Sequence, residues 1–176
     1  LPAAAAAPGA APASHTFYST EWGPVLSLPR AGLGWSAHTA YAIRDANTLN
    51  VRSAQSWMEM GRAHNVGELR TAMANQGIPW INTIAADRDG NAMYADQSVV
   101  PDVSAEMLKT CAPSPHAASL LHAANLVVLD GSRIACAWQR DPAVAAPGIL
   151  PPSRMPVVIT PDWVQNSNDS YWLANP

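Results

Sequence analysis

The chain has 176 residues, which is the length of a single domain that can bury a sizeable core. Its net charge is −3 and its Lys and Arg residues are scattered singly, so it lacks the basic stripe with which proteins bind nucleic acids or anionic membranes. Only 13% of the residues are charged and 48% are hydrophobic, a composition that excludes a disordered chain, and no apolar run is long enough to span a bilayer.

Residues 1–14 consist mainly of alanine and proline. They show neither the cationic start and apolar run of a signal peptide nor the alternation of a strand. We therefore predict a flexible surface segment over residues 1–14 and a folded domain over residues 15–176.

Three strands and one helix are predicted over the next part of the chain. In residues 15–28, β-branched and aromatic residues surround a break at Gly23-Pro24, which predicts two short strands joined by a turn. Residues 39–44 predict another strand. In residues 49–63 the apolar period changes to that of an amphipathic helix, whose apolar face carries Val51, Ala54, Trp57, Met58 and Gly61.

A second helix is predicted to begin at Asn65. Its side chain can cap free amides while Glu68, three residues later, reaches back as in a capping box. The helix should cover residues 66–76 and end before Gly77, the natural residue for a left-handed stop.

Two hairpins and one further strand complete the predicted elements. Residues 80–86 and 92–96 flank a polar segment with an Asp-Gly pair, which predicts a hairpin, and residues 126–129 and 133–137 repeat this pattern around Asp130-Gly131. An apolar strand is predicted over residues 156–159. The order of strands and helices predicts an α+β fold, or a layered α/β domain, with antiparallel sheet.

The two cysteines, Cys111 and Cys136, are compatible with two interpretations. Their spacing does not match a zinc site. They form either a disulfide, as in exported proteins, or two buried free thiols.

Common catalytic and metal-binding motifs are missing from the sequence. The five histidines, at positions 15, 38, 64, 116 and 122, stand in no recognisable catalytic setting, and there is no nucleophile elbow, zinc-protease motif or phosphate-binding loop. Asp87, Asp89 and Asn91 resemble the start of a calcium loop, but Ser98 stands where the closing glutamate should be, so a hairpin turn is the better interpretation. We expect no metal ion and no cofactor.

The polar run of residues 165–170 is flanked by aromatic residues on both sides, which predicts that part of it is enclosed. An enclosed carboxamide can donate a hydrogen bond to an anionic oxygen without carrying charge, as an oxyanion hole requires. The alternative is a loop in which Asn side chains bond their own backbone.

Several blocks of sequence, in order along the chain, resemble one enzyme family. They are A-Y-A-I-R-D-A-N over residues 40–47, G-I-P-W-I-N-T-I-A-A-D over residues 77–87, C-A-W over residues 136–138 and V-Q-N-S-N-D-S over residues 164–170. Together they resemble the β subunit of penicillin-acylase-type N-terminal nucleophile hydrolases, and within that family the acylases of acyl-homoserine lactones and of lipopeptides. The similarity runs from residue 16 to residue 176.

The resemblance implies a fold and a reaction. Its members fold as four layers, αββα, and are made as precursors that cleave themselves into α and β chains. The serine at the new β terminus attacks the substrate amide, its own α-amine acts as the base, and an acyl-enzyme forms and is hydrolysed.

The resemblance also implies roles for individual residues. Asn168 would be the oxyanion-hole side chain, with Asn166 as the fallback. Trp57, Trp80 and Ile81 would line the acyl-chain pocket, although core packing is the alternative for the two indoles. Cys111 and Cys136 would form the family's disulfide, which implies a periplasmic or secreted enzyme.

The nucleophilic serine of the family would precede this sequence, so we expect the chain alone to be inactive. Its expected partners are the α subunit, the remainder of the β subunit and an N-acylated small molecule. Two alternatives stay open: a non-catalytic domain that binds acyl chains, and a secreted serine esterase with an unrecognised triad.

Overall fold

The computed structural model of the protein describes residues 14–142 and 144–168. The chain divides into two units, one ending at Asp45 and the other beginning at Ala46. Among the described residues, no helix has both the length and the apolar character needed to cross a membrane.

The first unit contains a small antiparallel sheet in the order β1-β2-β3, formed by Ser19–Thr20, Gly23–Leu26 and Tyr41–Ala42. The predicted strands are present, but the turn was predicted wrongly: it lies two residues earlier, at residues 21–22, and Gly23 and Pro24 begin β2. The reason is a close approach of two strands. A Cβ at Gly23 would lie 2.0 Å from the carbonyl oxygen of Ile43, so glycine is needed inside the sheet and not in the turn.

The second unit begins with two helices, α1 over Ser53–Met60 and α2 over Val66–Met73. The predicted cap of α2 is confirmed, because the Asn65 side chain accepts a hydrogen bond from the Glu68 N–H at 2.8 Å. The return bond differs by one residue: the Glu68 carboxylate accepts from the N–H of His64, also at 2.8 Å.

The end of α2 was predicted wrongly. The helix stops at Met73, and the left-handed residue is Gln76, with a φ of 49°, instead of Gly77. The backbone carbonyl groups at this turn accept hydrogen bonds from the side chains of Asn50 and Arg52, and these bonds replace the continuation of the helix.

The second sheet has the order β4-β5-β6, formed by Asn82–Ala86, Ala92–Asp96 and Val157–Thr160, and all of its pairs are antiparallel. This confirms the predicted hairpin and the last predicted strand. Gly90 sits in the hairpin turn with a φ of 85°, a conformation that glycine adopts without steric cost.

One face of this sheet packs against the helices. Met93 and Ala95 of β5 are fully buried and join Val66 and Met73 of α2 in a hydrophobic cluster. The opposite face carries Ile84, which pairs with Tyr94 and is 49% exposed. The sheet is therefore covered on one side and open along β4 on the other.

The hairpin predicted over residues 126–137 is absent. Residues 126–129 form no strand, and Ile134–Cys136 is a single 3₁₀ turn. The segment is tied to a different element, because the N–H of Asp130 donates to the carbonyl oxygen of Cys111 at 2.7 Å and Cys136 is bonded to Cys111. The hydrogen bond of Asp130 and the disulfide of Cys136 thus direct this segment toward Cys111 instead of toward a second strand.

Two helices in this region were not predicted, α3 over Ala105–Thr110 and α4 over Pro115–Ala124. Each begins at a serine whose hydroxyl accepts a backbone N–H three residues later, Ser104 from Met107 and Ser114 from Ala117. The disulfide between Cys111 and Cys136, with Cα atoms 5.5 Å apart, closes the small core beneath α3. It confirms the disulfide interpretation over that of two free thiols.

Candidate functional site

Helix α1 turns its apolar face to the outside. Val51 is 89% exposed and Trp57 and Met58 are each 57% exposed, whereas Ser56 is buried. The prediction of an amphipathic helix is confirmed, but its orientation is the reverse of the usual one, in which the apolar face packs on the core.

The inward face of α1 bonds a polar turn, defined by residues 75–77, which we call the carboxamide turn. Asn75 is its centre: its Oδ1 accepts from the Ser56 hydroxyl and, at 2.9 Å, from the N–H of Gly77, and its Nδ2 donates to Glu59 at 3.2 Å. Arg52 donates through Nε to the Asn75 carbonyl oxygen at 2.9 Å. The polar side of α1 thus supplies donors and acceptors to a turn that has few partners of its own.

The carboxamide turn leads directly into two of the predicted pocket residues. Trp80 is 80% exposed, and Ile81 is half-buried. Ile81 lines a small cavity together with residues of α1 and α2, one residue after the carboxamide turn and one after β5: Ser56, Met60, Met73, Ile78 and Gln97. Ile81 therefore lies near Ser56 of α1, the residue before Trp57, whereas the indoles of Trp57 and Trp80 are exposed.

The predicted oxyanion residue, Asn168, is exposed, with a φ of 60°. In the described part of the polar run, Asn166 is half-buried and Gln165, Ser167 and Asn168 are exposed, and Trp163 before the run is 71% exposed. The expectation that part of the run is enclosed stays a prediction. The N–H of Asn168 donates to Oδ1 of Asn166 at 2.8 Å. This bond is the self-satisfying Asx loop given above as the alternative. Residues 169–176 lie outside the described part of the chain.

The calcium-like residues of the β4–β5 turn serve the backbone. Oδ1 of Asp87 accepts from the N–H groups of Asp89 and Asn91, each at 3.0 Å, and Oδ2 accepts from the N–H of Val66 at 3.2 Å. These bonds, that from Asn91 first, hold the pKa of the Asp87 carboxyl below its usual value. Within the described residues, no group of three His, Cys, Asp or Glu side chains is arranged to hold a metal ion.

The five histidines, which all lie in the described part of the chain, are exposed. His64 contacts a carboxylate, that of Glu68, at 3.1 Å. The main-chain and side-chain hydrogen bonds from His64 lower the pKa of Glu68. This pair lies at the start of α2 and has the geometry of a helix cap.

Sequence reasoning missed the residues of the carboxamide turn. Gln76 is 1% exposed, its Nε2 donates to the carbonyl oxygens of Ser98 and Leu150, and its Oε1 has no protein partner. A buried, left-handed glutamine with an open acceptor is costly. The sequence did contain one signal for an early end of α2: the polar residues Asn75 and Gln76 stand directly before Gly77, at positions where the helix was predicted to continue.

Comparison with known proteins gives one consistent assignment. A sequence model of the penicillin amidase family matches residues 4–176. The chain is 45% identical over 169 residues to aculeacin-A acylase of Actinoplanes utahensis, an alignment that covers 96% of this chain and 21% of that protein.

Similar matches are found in Pseudomonas. The chain is 46% identical over 160 residues to the acyl-homoserine lactone acylase PvdQ of Pseudomonas putida, which covers 90% of this chain and 20% of that protein. The PvdQ of Pseudomonas fluorescens is 43% identical over 166 residues. The chain thus spans about a fifth of the length of the relatives it matches.

Proposed function

The chain belongs to the penicillin amidase family, and from this premise we propose that the complete protein containing it is an acylase that hydrolyses the amide bond of N-acylated substrates. The observation that carries the proposal is the family match over residues 4–176. The relatives named as acylases of aculeacin A and of acyl-homoserine lactones support lipopeptides or acylated lactones as the substrate class.

The proposed reaction follows the family's chemistry. An N-terminal serine, supplied by polypeptide outside this sequence, gives its hydroxyl proton to its own α-amine and attacks the amide carbonyl. The amine leaves with that proton, and water then hydrolyses the acyl-enzyme to the free acid. On this proposal the chain contributes walls and hydrogen-bond donors, and by itself it is inactive.

Asn168 is the proposed side-chain donor to the oxyanion, with Asn166 as the fallback. Asn168 is exposed in this chain, and a hydrogen-bond donor in bulk water stabilises an oxyanion only weakly. The proposal therefore requires that other parts of the complete protein cover the Asn166–Asn168 loop and exclude water from it.

The acyl-chain pocket is proposed to use Trp57, Trp80 and Ile81. Two exposed indoles and a half-buried aliphatic side chain offer the apolar surface that an acyl chain needs. Their exposure leaves these surfaces free for an acyl chain, as the pocket role requires.

A four-layer αββα arrangement with the α subunit and the remainder of the β subunit is part of the proposal. A sheet packed by helices on one face, with Ile84 exposed on the other, supports it, because a second sheet would cover that open face. The Cys111–Cys136 disulfide supports export to the periplasm or the medium.

The test uses the complete protein and a set of N-acyl homoserine lactones and lipopeptides of varied acyl length. Release of the free amine is followed by chromatography for the wild type, Asn168→Ala and Asn166→Ala. Removal of one oxyanion donor lowers kcat by about 10²–10³-fold, so Asn168→Ala should show this loss and Asn166→Ala a much smaller one.

Each outcome separates the candidates. The opposite order of the two variants would transfer the role to Asn166. A complete protein that releases no acyl chain from any substrate refutes the acylase, and saturable fatty-acid binding would then favour the non-catalytic domain. Hydrolysis by this chain alone would favour a serine esterase.

A further inference from the structure

Asn75 links the two candidate walls of the acyl-chain pocket. Through Oδ1 it accepts from Ser56, the residue before Trp57, and through Nδ2 it donates to Glu59 one turn later on the same helix. Its own chain continues through Gly77 to Trp80 and Ile81. One carboxamide therefore connects the element that carries Trp57 with the segment that carries the other two residues.

The start of α1 and Gly77 are in such close contact that no side chain fits between them. A Cβ at Gly77 would lie 2.1 Å from the Ser56 hydroxyl oxygen and 2.5 Å from the Arg52 carbonyl oxygen. Asn50 adds further bonds from its Nδ2 to the carbonyl oxygens of Gln76 and Gly77, both at 3.2 Å. The start of α1 and the carboxamide turn are thus fixed against each other by backbone and side-chain bonds together.

The small cavity lies at this contact. Ser56 and Met60 of α1 line it from one side, and Ile78 and Ile81 line it from the segment after the turn. A shift of α1 relative to the turn would therefore change the spacing between the helix that carries Trp57 and the segment that carries Trp80 and Ile81.

We infer that Asn75, through its bonds to Ser56 and Glu59, is a positioning residue that sets the acyl-chain length preference of the site. The inference rests on the proposed function, because it takes Trp57, Trp80 and Ile81 as the acyl pocket. Asn75 itself lies behind the walls and contacts no substrate.

The decisive variant is Asn75→Asp in the complete protein. It keeps an acceptor for Ser56 and for the N–H of Gly77, but it replaces the donor to Glu59 by a second carboxylate. The double variant Asn75→Asp/Glu59→Gln reverses the pair: the new amide at position 59 donates to position 75, and its oxygen still accepts from Gln55, which bonds Glu59 at 2.7 Å.

The expected result is a changed profile of kcat/KM against acyl length. Asn75→Asp should lose about tenfold on the best chain length, which corresponds to about 1.4 kcal/mol, through KM and with kcat nearly unchanged, while the shortest chains change little. The double variant should restore the wild-type profile. A residue that serves stability alone would lower activity equally at every length.

Asn65→Asp is the matched control. Asn65 also accepts a backbone N–H through Oδ1 and donates through Nδ2 to a glutamate, Glu68, at 3.2 Å, but it lies at the start of α2 away from the carboxamide turn. Its profile should match that of the wild type.

Parallel profiles for the wild type and Asn75→Asp overturn the inference and leave the proposed function standing. A wild type that hydrolyses no acyl amide overturns both. If Asn75→Asp does not fold, Ser56→Ala removes only the hydroxyl donor to Asn75, and a profile unchanged in that variant also overturns the inference.

Discussion

Gly77→Ala tests the close contact between α1 and the carboxamide turn. The new methyl group would lie 2.5 Å from the Arg52 carbonyl oxygen, which is 0.9 Å less than the 3.4 Å at which ordinary contact begins. The Ser56 hydroxyl, at 2.1 Å, could rotate away, but it would then lose its bond to Asn75. The carbonyl group belongs to the backbone at the start of α1, so the clash can be relieved only by moving the helix and the turn apart.

The expected cost follows from these contacts. Overpacking of a tight site costs about 1–3 kcal/mol, and the lost hydrogen bond adds about 1 kcal/mol. The lower entropy of the unfolded alanine chain returns about 0.4–1 kcal/mol. Gly77→Ala should therefore lower the free energy of unfolding by about 2 kcal/mol, within a range of about 1–3.6 kcal/mol.

The assay is urea denaturation of the complete protein, followed by circular dichroism. Gly61→Ala is the control: it lies at the end of the same helix, has a φ of −67°, and its Cβ would come no nearer than 3.3 Å to another atom. We expect that variant to stay within about 1 kcal/mol of the wild type. Equal stability of the two variants would refute the argument that the turn needs glycine because α1 is so close.

Two further predictions concern the fold of the second unit. Asp87→Asn should lower Tm at neutral pH, because the carboxylate accepts hydrogen bonds from the N–H groups of Asp89, Asn91 and Val66. The folded pKa of Asp87 lies below the usual 3.8, so this stabilisation is present above pH 3.8 and is lost as the pH falls through the folded pKa. The Tm difference between the variant and the wild type should therefore close in acid, and a difference independent of pH would contradict this role. Replacement of both Cys111 and Cys136 by serine opens a loop with a sequence separation of 25 and should lower the free energy of unfolding, measured in urea, by about 3.5 kcal/mol. A decrease below about 1 kcal/mol would show instead that the other contacts of the loop hold it in place.

Local signals in the sequence predicted the elements that depend on local chemistry. The β4–β5 hairpin follows from the Asp-Gly turn between two apolar runs, and the start of α2 follows from Asn65 and Glu68. In both cases the partners lie within one continuous stretch of sequence, from Asn82 to Asp96 in the hairpin and from Asn65 to Glu68 at the cap, so the local pattern contains them.

The elements that were predicted wrongly depend on distant partners. Gly23 is needed because Ile43 approaches it, and α2 ends early because Arg52 and Asn50 bond the following turn. Residues 126–137 carry the pattern of a hairpin, but Cys111 holds both Asp130 and Cys136. None of these partners is visible in the local pattern.

The candidate site shows the same division. The family resemblance selected Trp57, Trp80 and Ile81, and the structure brings Ile81 to the helix that carries Trp57. The polar contact behind them, centred on Asn75, has no periodicity or motif that predicts it. The enclosure of part of the polar run was predicted from aromatic residues on both sides; Trp163 is exposed, Tyr171 and Trp172 lie outside the described residues, and the enclosure stays a prediction.

The orientation of α1 follows from what it packs against. The Asn75 carbonyl oxygen and the Asn75 side chain take their partners from α1, where Arg52, Ser56 and Glu59 lie on one side of the helix. These bonds occupy much of the inward face, so Trp57 and Met58 lie on the outer side, whereas Met60 at the end of the helix packs against the core. Trp57 and Met58 are consequently held at the surface by a polar contact, which leaves them accessible to an acyl chain if the proposed function holds.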